Sequence, residues 1–198
     1  MWSWSTIPDK YGTQSNRFPW GSFMSGFRFG PASQSERIVF GAQGPARSSQ
    51  RIGAWIAFMK EQGIKRVCCL LHQEQLSFYK EDLLAAYGRE FGQDNICWAP
   101  VEDYHLCDGV MLKERVLLFL KESEKKGEPV VVHCEGGRGR TGHVLAAWLV
   151  FGRGFAIEDA LSAVKEMGRN PREAVDWGNA KPEELYALLE VCQESHVA

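Results

Sequence analysis

One stretch of the chain, His133-Cys134-Glu135-Gly136-Gly137-Arg138-Gly139-Arg140-Thr141-Gly142, collects residue types that could do chemistry together. A cysteine and an arginine stand with five residues between them, three of which are glycine. Glycine lets the backbone curl with its N–H groups turned inward, and a helix starting beyond the turn adds its positive N-terminal end to the same hollow. Such a hollow holds a tetrahedral oxyanion, and a planar guanidinium grips two of its oxygens at once. A cysteine among inward dipoles and a cation ionises readily and becomes a nucleophile. The chemistry expected is attack by Cys134 sulfur on a bound phosphate, with Glu135, Gly136, Gly137, Arg138, Gly139 and Arg140 as the phosphate-binding loop.

Two other readings of the loop are weaker. Gly137, Gly139 and Gly142 match the G-x-G-x-x-G pattern of dinucleotide sites, but that pattern wants an acidic residue about 20 positions on, at the end of the next strand. Glu158 and Asp159 stand instead at the start of a helix, and the pattern leaves Cys134 and Arg140 unexplained. A Walker loop fails because no Gly-Lys-Ser/Thr occurs. The bland alternative is a tight turn with a buried thiol and a surface arginine.

The elements that must hold this loop can be read around it. Val130–Val132 is a β-branched run of the kind buried on both faces of a central strand. Upstream, short strands are expected near Phe27–Phe29 and Arg37–Gly41. A helix follows, opened by Ser48 or Ser49 and closed by Gly63, with Ile52, Trp55, Ile56 and Met59 as its buried stripe. Then come a strand Ile64–Leu71, a helix around Ser77–Phe91, a strand Asn95–Pro100 and an amphipathic helix Gly109–Lys126 stopped by Gly127 and Pro129. After the loop, helices are expected over Thr141–Phe151, near Ile157–Met167, and from Pro182 onward. Alternating strands and helices imply an α/β, single-domain architecture: a mostly parallel central sheet of about five strands flanked by helices, with the cysteine loop between the central strand and a helix.

Composition bounds what such a domain can do. The chain has 198 residues, 44% of them hydrophobic, which suffices for one core. Twenty-three Lys plus Arg against 25 Asp plus Glu give a formal charge of -2, so a nucleic-acid partner is not expected. The longest apolar run, Val144–Phe151, is far short of a membrane span, and Met1–Lys10 lacks the pattern of a signal peptide. Six cysteines, with the Cys68-Cys69 pair inside an apolar run, suit a reducing cytoplasm. Residues 1–26, rich in Ser, Gly and aromatics, read as an irregular segment packing onto the domain surface, with membrane or partner contact as the sharper alternative.

His133 through Gly142 resembles the His-Cys-x-x-Gly-x-x-Arg-Ser/Thr signature of the protein tyrosine phosphatases, and the Gly-Arg-Thr-Gly ending is most similar to their dual-specificity branch. The resemblance covers residues 27–198 and implies a phosphatase-type fold, Cys134 as nucleophile and Arg140 as phosphate ligand, with no cofactor or metal. It also implies an aspartate on a mobile loop upstream, which protonates the leaving oxygen and later serves as base. Pro100-Val101-Glu102-Asp103 resembles the opening of that loop and makes Asp103 the candidate. Asp108 competes but looks like the cap of the next helix. No proline closes the loop after Asp103, where the family pattern has one. Thr141 resembles the hydroxyl that stabilises the cysteine as leaving group, and an N-cap is its other role. His133 is expected to order the loop, and His105 and His143 to be structural or solvated.

The expected substrates are phosphotyrosine, phosphoserine and phosphothreonine in proteins or peptides. Arg138 favours a more highly charged substrate and Glu135 opposes it, so a phosphoinositide or phosphometabolite is the alternative. A phosphate-binding adaptor and a rhodanese-like sulfurtransferase are further alternatives from other classes. Cys107 is a candidate partner for an oxidised Cys134, with Cys68 and Cys69 as rivals, against the simpler view that all are packing residues.

Overall fold

A computed structural model describes residues 26–193. Its strands are β1 (Gly30–Pro31), β2 (Val39–Gln43), β3 (Arg66–Leu71), β4 (Ile96–Val101) and β5 (Val130–Cys134). They form one sheet in the order β1-β2-β5-β3-β4, in which only the β1–β2 pair is antiparallel. The helices are α1 (Ser49–Glu61), α2 (Gln73–Ser77), α3 (Leu83–Phe91), α4 (Gly109–Met111), α5 (Leu118–Lys126), α6 (Gly139–Arg153), α7 (Ile157–Glu166), α8 (Glu173–Asp176) and α9 (Pro182–Gln193). The expected α/β sheet with a central cysteine-bearing strand is the one found.

β5 lies between β2 and β3, so its apolar residues face helices on both sides. The two-residue period of a strand sorts them. Val131 joins Cys69 and Leu71 against Ile52, Trp55, Met59 and Tyr87 of α1 and α3. Val130 and Val132 join Cys68 and Leu70 against Leu112, Val144, Trp148, Val164 and Leu189 on the other face. Because β2, β5, β3 and β4 run parallel, the segments that follow them gather at one sheet edge, where open α/β sheets place ligands.

Several local expectations need correction. Phe27 and Arg28 have left-handed φ of 65° and 49°, which no strand tolerates, so Gly26–Arg28 is a left-handed turn and the edge strand is only Gly30–Pro31. The helix expected around Ser77–Phe91 starts only at Leu83, where Asp82 caps it by accepting from Ala85 N–H at 3.0 Å, and the separate short helix α2, Gln73–Ser77, precedes it without having been expected. Gly109–Lys126 is helical throughout, but Leu112–Leu117 forms a wider π-helical turn between α4 and α5. The extra residue keeps Leu112, Val116, Leu117 and Leu120 all buried. The short α8 has no counterpart in the sequence reading. The N-terminal segment, apart from Gly26, lies outside the described residues, and among those described no helix is long and apolar enough to cross a membrane.

Candidate active site

Cys134 ends β5 with its side chain 97% buried, being 3% exposed, at the floor of an open cleft of about 500 Å³. Its sulfur accepts two hydrogen bonds of 3.2 Å, from the Gly137 N–H and from the Thr141 hydroxyl. The backbone can curl this tightly because Gly137 has φ of 67° and its Cα presses on β2: a Cβ there would sit 2.5 Å from Gln43 N. α6 starts at Gly139, two residues earlier than expected. Thr141 therefore lies inside its first turn, and the Ncap residue is Arg138, which makes no capping bond. Of the two roles open to the Thr141 hydroxyl, the geometry shows the contact with sulfur.

The cleft wall brings together residues far apart in sequence. Arg140 is buried, yet donates from Nη1 to Gln75 Oε1 at 2.6 Å and Val101 O at 3.0 Å, while its Nη2 forms an ion pair with Asp103 Oδ1 at 2.9 Å. The two hydrogen bonds use both N–H groups of Nη1, out of the five N–H donors of a guanidinium. Asp103 stands just past β4, half-exposed, and lines the cleft together with Cys134, Glu135, Gly136, Arg138 and Gly139. Asp108 is elsewhere: its Oδ1 accepts from Met111 N–H at 2.8 Å and caps α4, as expected. Glu135 turns to the rim, where Arg47 at 3.0 Å and Gln75 Nε2 at 2.9 Å meet its carboxylate.

Three histidines near the loop behave as structural groups. His133 is buried against Trp55 and Tyr87, with Nδ1 3.4 Å from Cys134 O and Nε2 3.1 Å from the Tyr87 hydroxyl. A carbonyl only accepts, so Nδ1 carries the hydrogen and Tyr87 donates to Nε2. Burial holds this ring down at about 4, with the Arg140 charge adding to the effect. His143, also held at about 4 by burial, accepts the Cys107 N–H at 3.0 Å and hydrogen-bonds the Gly139 backbone, fastening the Asp103 loop to the start of α6. His105 donates to Asp103 O at 2.8 Å, which shapes the same loop from the exposed side.

Four residues that the sequence did not single out complete the site. Arg169 is buried under the loop and donates to Gly41 O at 2.7 Å, Gly137 O at 2.9 Å and Gly30 O at 3.0 Å. Burial lowers it to about 10, partly offset by Cys134 nearby. Glu173 of α8 lines the cleft beside Gly139, and burial, with Asp103 adding, raises its carboxyl above the ordinary range. Trp177 packs on Tyr104 at 4.9 Å on the same cleft. Gln75 is the fourth. None of the four carries a local signal, because each meets its partners across long stretches of chain.

The remaining thiols are buried and free. Burial pushes Cys107 up to about 12, with the neighbouring Asp108 carboxylate adding to the rise. Cys69 is likewise pushed up to about 12, with Arg140 pulling it down and Cys134 adding to the rise. Of the candidate partners for Cys134, Cys68 and Cys107 belong to the same core cluster, whereas Cys69 lies in the cluster on the opposite face of the sheet.

Known proteins resemble this chain over different extents. Dual specificity protein phosphatase 5 of Homo sapiens is 32% identical over 69 residues, which make up 35% of this chain and 18% of that protein. The match thus spans less than a fifth of that relative's length. Among solved structures, Tk-PTP in its active form superposes with a TM-score of 0.60 at 22% identity, covering 80% of this chain and 93% of that one. PTPMT1 in complex with PI(5)P gives 0.62 at 14% identity, covering 85% and 99%. At these identities the superpositions show the fold. A family model described as Swiss Army Knife protein, DSP-PTPase phosphatase domain, matches residues 45–183, well over half of the chain, and the chain belongs to that family.

Proposed function

We propose that this chain is a cysteine-dependent phosphatase that hydrolyses phosphomonoesters through a phosphocysteine intermediate, acting on phosphotyrosine, phosphoserine and phosphothreonine in proteins or peptides. The observation that carries this is the Cys134 sulfur lying between the Gly137 N–H and the Thr141 hydroxyl on the floor of a cleft walled by Arg140 and Asp103. The catalytic domain is proposed to run over residues 27–198, after the segment 1–26. Six free cysteines support a reducing, cytoplasmic setting.

The reaction follows from the groups in the cleft. A phosphate ester enters the loop, and its oxygens take the N–H groups of residues 135–140 and the uncommitted donors of Arg140. Asp103, displaced from Arg140 by the phosphate, is free to act as acid. Cys134 sulfur attacks phosphorus in line, the bond to the leaving oxygen breaks, and Asp103 delivers the proton to that oxygen. Water then attacks phosphorus, Asp103 takes its proton, and the phosphorus–sulfur bond breaks with Thr141 donating to the departing thiolate. The products are the free hydroxyl compound and inorganic phosphate.

A phosphoinositide is the alternative substrate, favoured by Arg138 on the cleft and by PTPMT1, whose structure holds PI(5)P. Against it, Glu173 and Asp176 line the cleft together with Asp103 and disfavour additional phosphates. Hydrolysis of a matched panel of phosphopeptides and phosphoinositides decides. Turnover of phosphopeptides at higher kcat/KM supports the protein reading, a reversed preference replaces it, and turnover of neither removes the phosphatase reading.

A further inference from the structure

We propose that Gln75 is a positioning residue that aims Arg140 at the substrate's phosphate, an inference that rests on the phosphatase reading. Gln75 sits on α2, directly after β3, and 65 positions from the arginine it meets. Its carbonyl oxygen accepts from Arg140 Nη1 at 2.6 Å and from the His72 N–H at 3.3 Å. Its amide nitrogen donates to Glu135 at 2.9 Å, and Arg47 holds the other oxygen of that carboxylate at 3.0 Å.

The two ends of the amide are not interchangeable here. A guanidinium only donates and a carboxylate only accepts, so a flipped Gln75 would lose both bonds and set N–H against N–H. Glu135, at one end of the cysteine loop, therefore fixes the orientation of Gln75, which in turn fixes Arg140 at the other end. Nη1 is spent on two neutral acceptors, Gln75 and Val101 O, while Nη2 points at an anion, Asp103. This division anchors the guanidinium without neutralising it. A carboxylate at position 75 would compete with phosphate for the same cation. A long side chain ordered in advance also spares phosphate binding the entropy of ordering it.

The test is a cycle of four proteins, all carrying Cys134→Ser, binding tungstate, a tetrahedral dianion, in a calorimeter. Gln75→Met, which keeps the length and removes both polar atoms, is expected to weaken tungstate about tenfold, the worth of a hydrogen bond to a charged group. In an Arg140→Lys background the same change is expected to cost less than about twofold, because its effect runs through the guanidinium. Gln75→Ala, which adds no bulk, is measured alongside to exclude crowding. Equal losses in both backgrounds, or no loss beside Arg140, would overturn the proposal while leaving the phosphatase reading intact. Failure of the Cys134→Ser protein itself to bind tungstate would overturn both.

Discussion

The hydroxyl of Thr141 points at the sulfur of Cys134 across 3.2 Å, from inside the first turn of α6. A thiolate needs such a donor most when it departs from phosphorus, since charge then collects on sulfur. Thr141→Ala is expected to slow hydrolysis of the phosphocysteine by roughly 10- to 100-fold, the worth of one charge-assisted hydrogen bond, and to slow its formation much less. Rapid mixing with an aryl phosphate would show a burst of phenol followed by slow turnover. Thr141→Ser should restore a single phase.

The proton donor can be separated from its rival by leaving group. Asp103→Ala is expected to cost about 10²- to 10⁴-fold for alkyl phosphates and far less for activated aryl phosphates, because only the former need the proton. Asp108→Ala should leave both rates unchanged and lower stability by about 0.5–2 kcal/mol through loss of the α4 cap. An activity loss from Asp108→Ala would move the acid.

Arg169 ties four backbone carbonyls, those of Arg28, Gly30, Gly41 and Gly137, to one guanidinium. Arg169→Met leaves them without that donor in a dry site, at an expected cost of about 2–5 kcal/mol in denaturant unfolding, with weakened anion binding because Gly137 is among them. Gly41→Ala should imitate it mildly, since a Cβ would come within 2.8 Å of the same guanidinium.

Acid should destabilise the fold before it protonates ordinary carboxylates. His133 and His143 are held at about 4 in the folded protein against 6.5 when exposed, so between those values the unfolded chain binds more protons. Stability is then full above about pH 6.5 and falls as pH drops toward 4, where the two rings charge in the folded state as well. The buried carboxylate of Glu36, held low by hydrogen bonds to Arg153, Ile38 and Trp148, adds loss in the same direction at lower pH. Denaturant midpoints measured from pH 7 to 4.5 should decline steadily, and His143→Gln should flatten the slope. A flat profile would contradict the buried neutral rings.

What the sequence disclosed is what local spacing encodes. Cys134, the glycines and Arg140 lie within one turn-and-helix segment, and Val130–Val132 announces its strand, so loop and sheet were legible together. The caps at Ser48 and Asp108 were legible for the same reason. Gln75, Arg47, Glu173 and Trp177 were not, because each acquires meaning only through a partner dozens of positions away. The π-helical turn at Leu112–Leu117 was hidden because one added residue barely disturbs the apolar pattern. The start of α3 at Leu83 depended on Asp82 winning as a cap over an earlier start, a contest that propensity alone does not decide.

The central claim is that phosphorus passes through the sulfur of Cys134. Rapid acid quench of the Thr141→Ala protein turning over an aryl phosphate, followed by peptide mass spectrometry, tests it most directly. One phosphate on the peptide containing Cys134, absent from the Cys134→Ser protein together with its turnover, is the predicted result. Phosphate on another residue, or undiminished turnover by Cys134→Ser, would contradict the account.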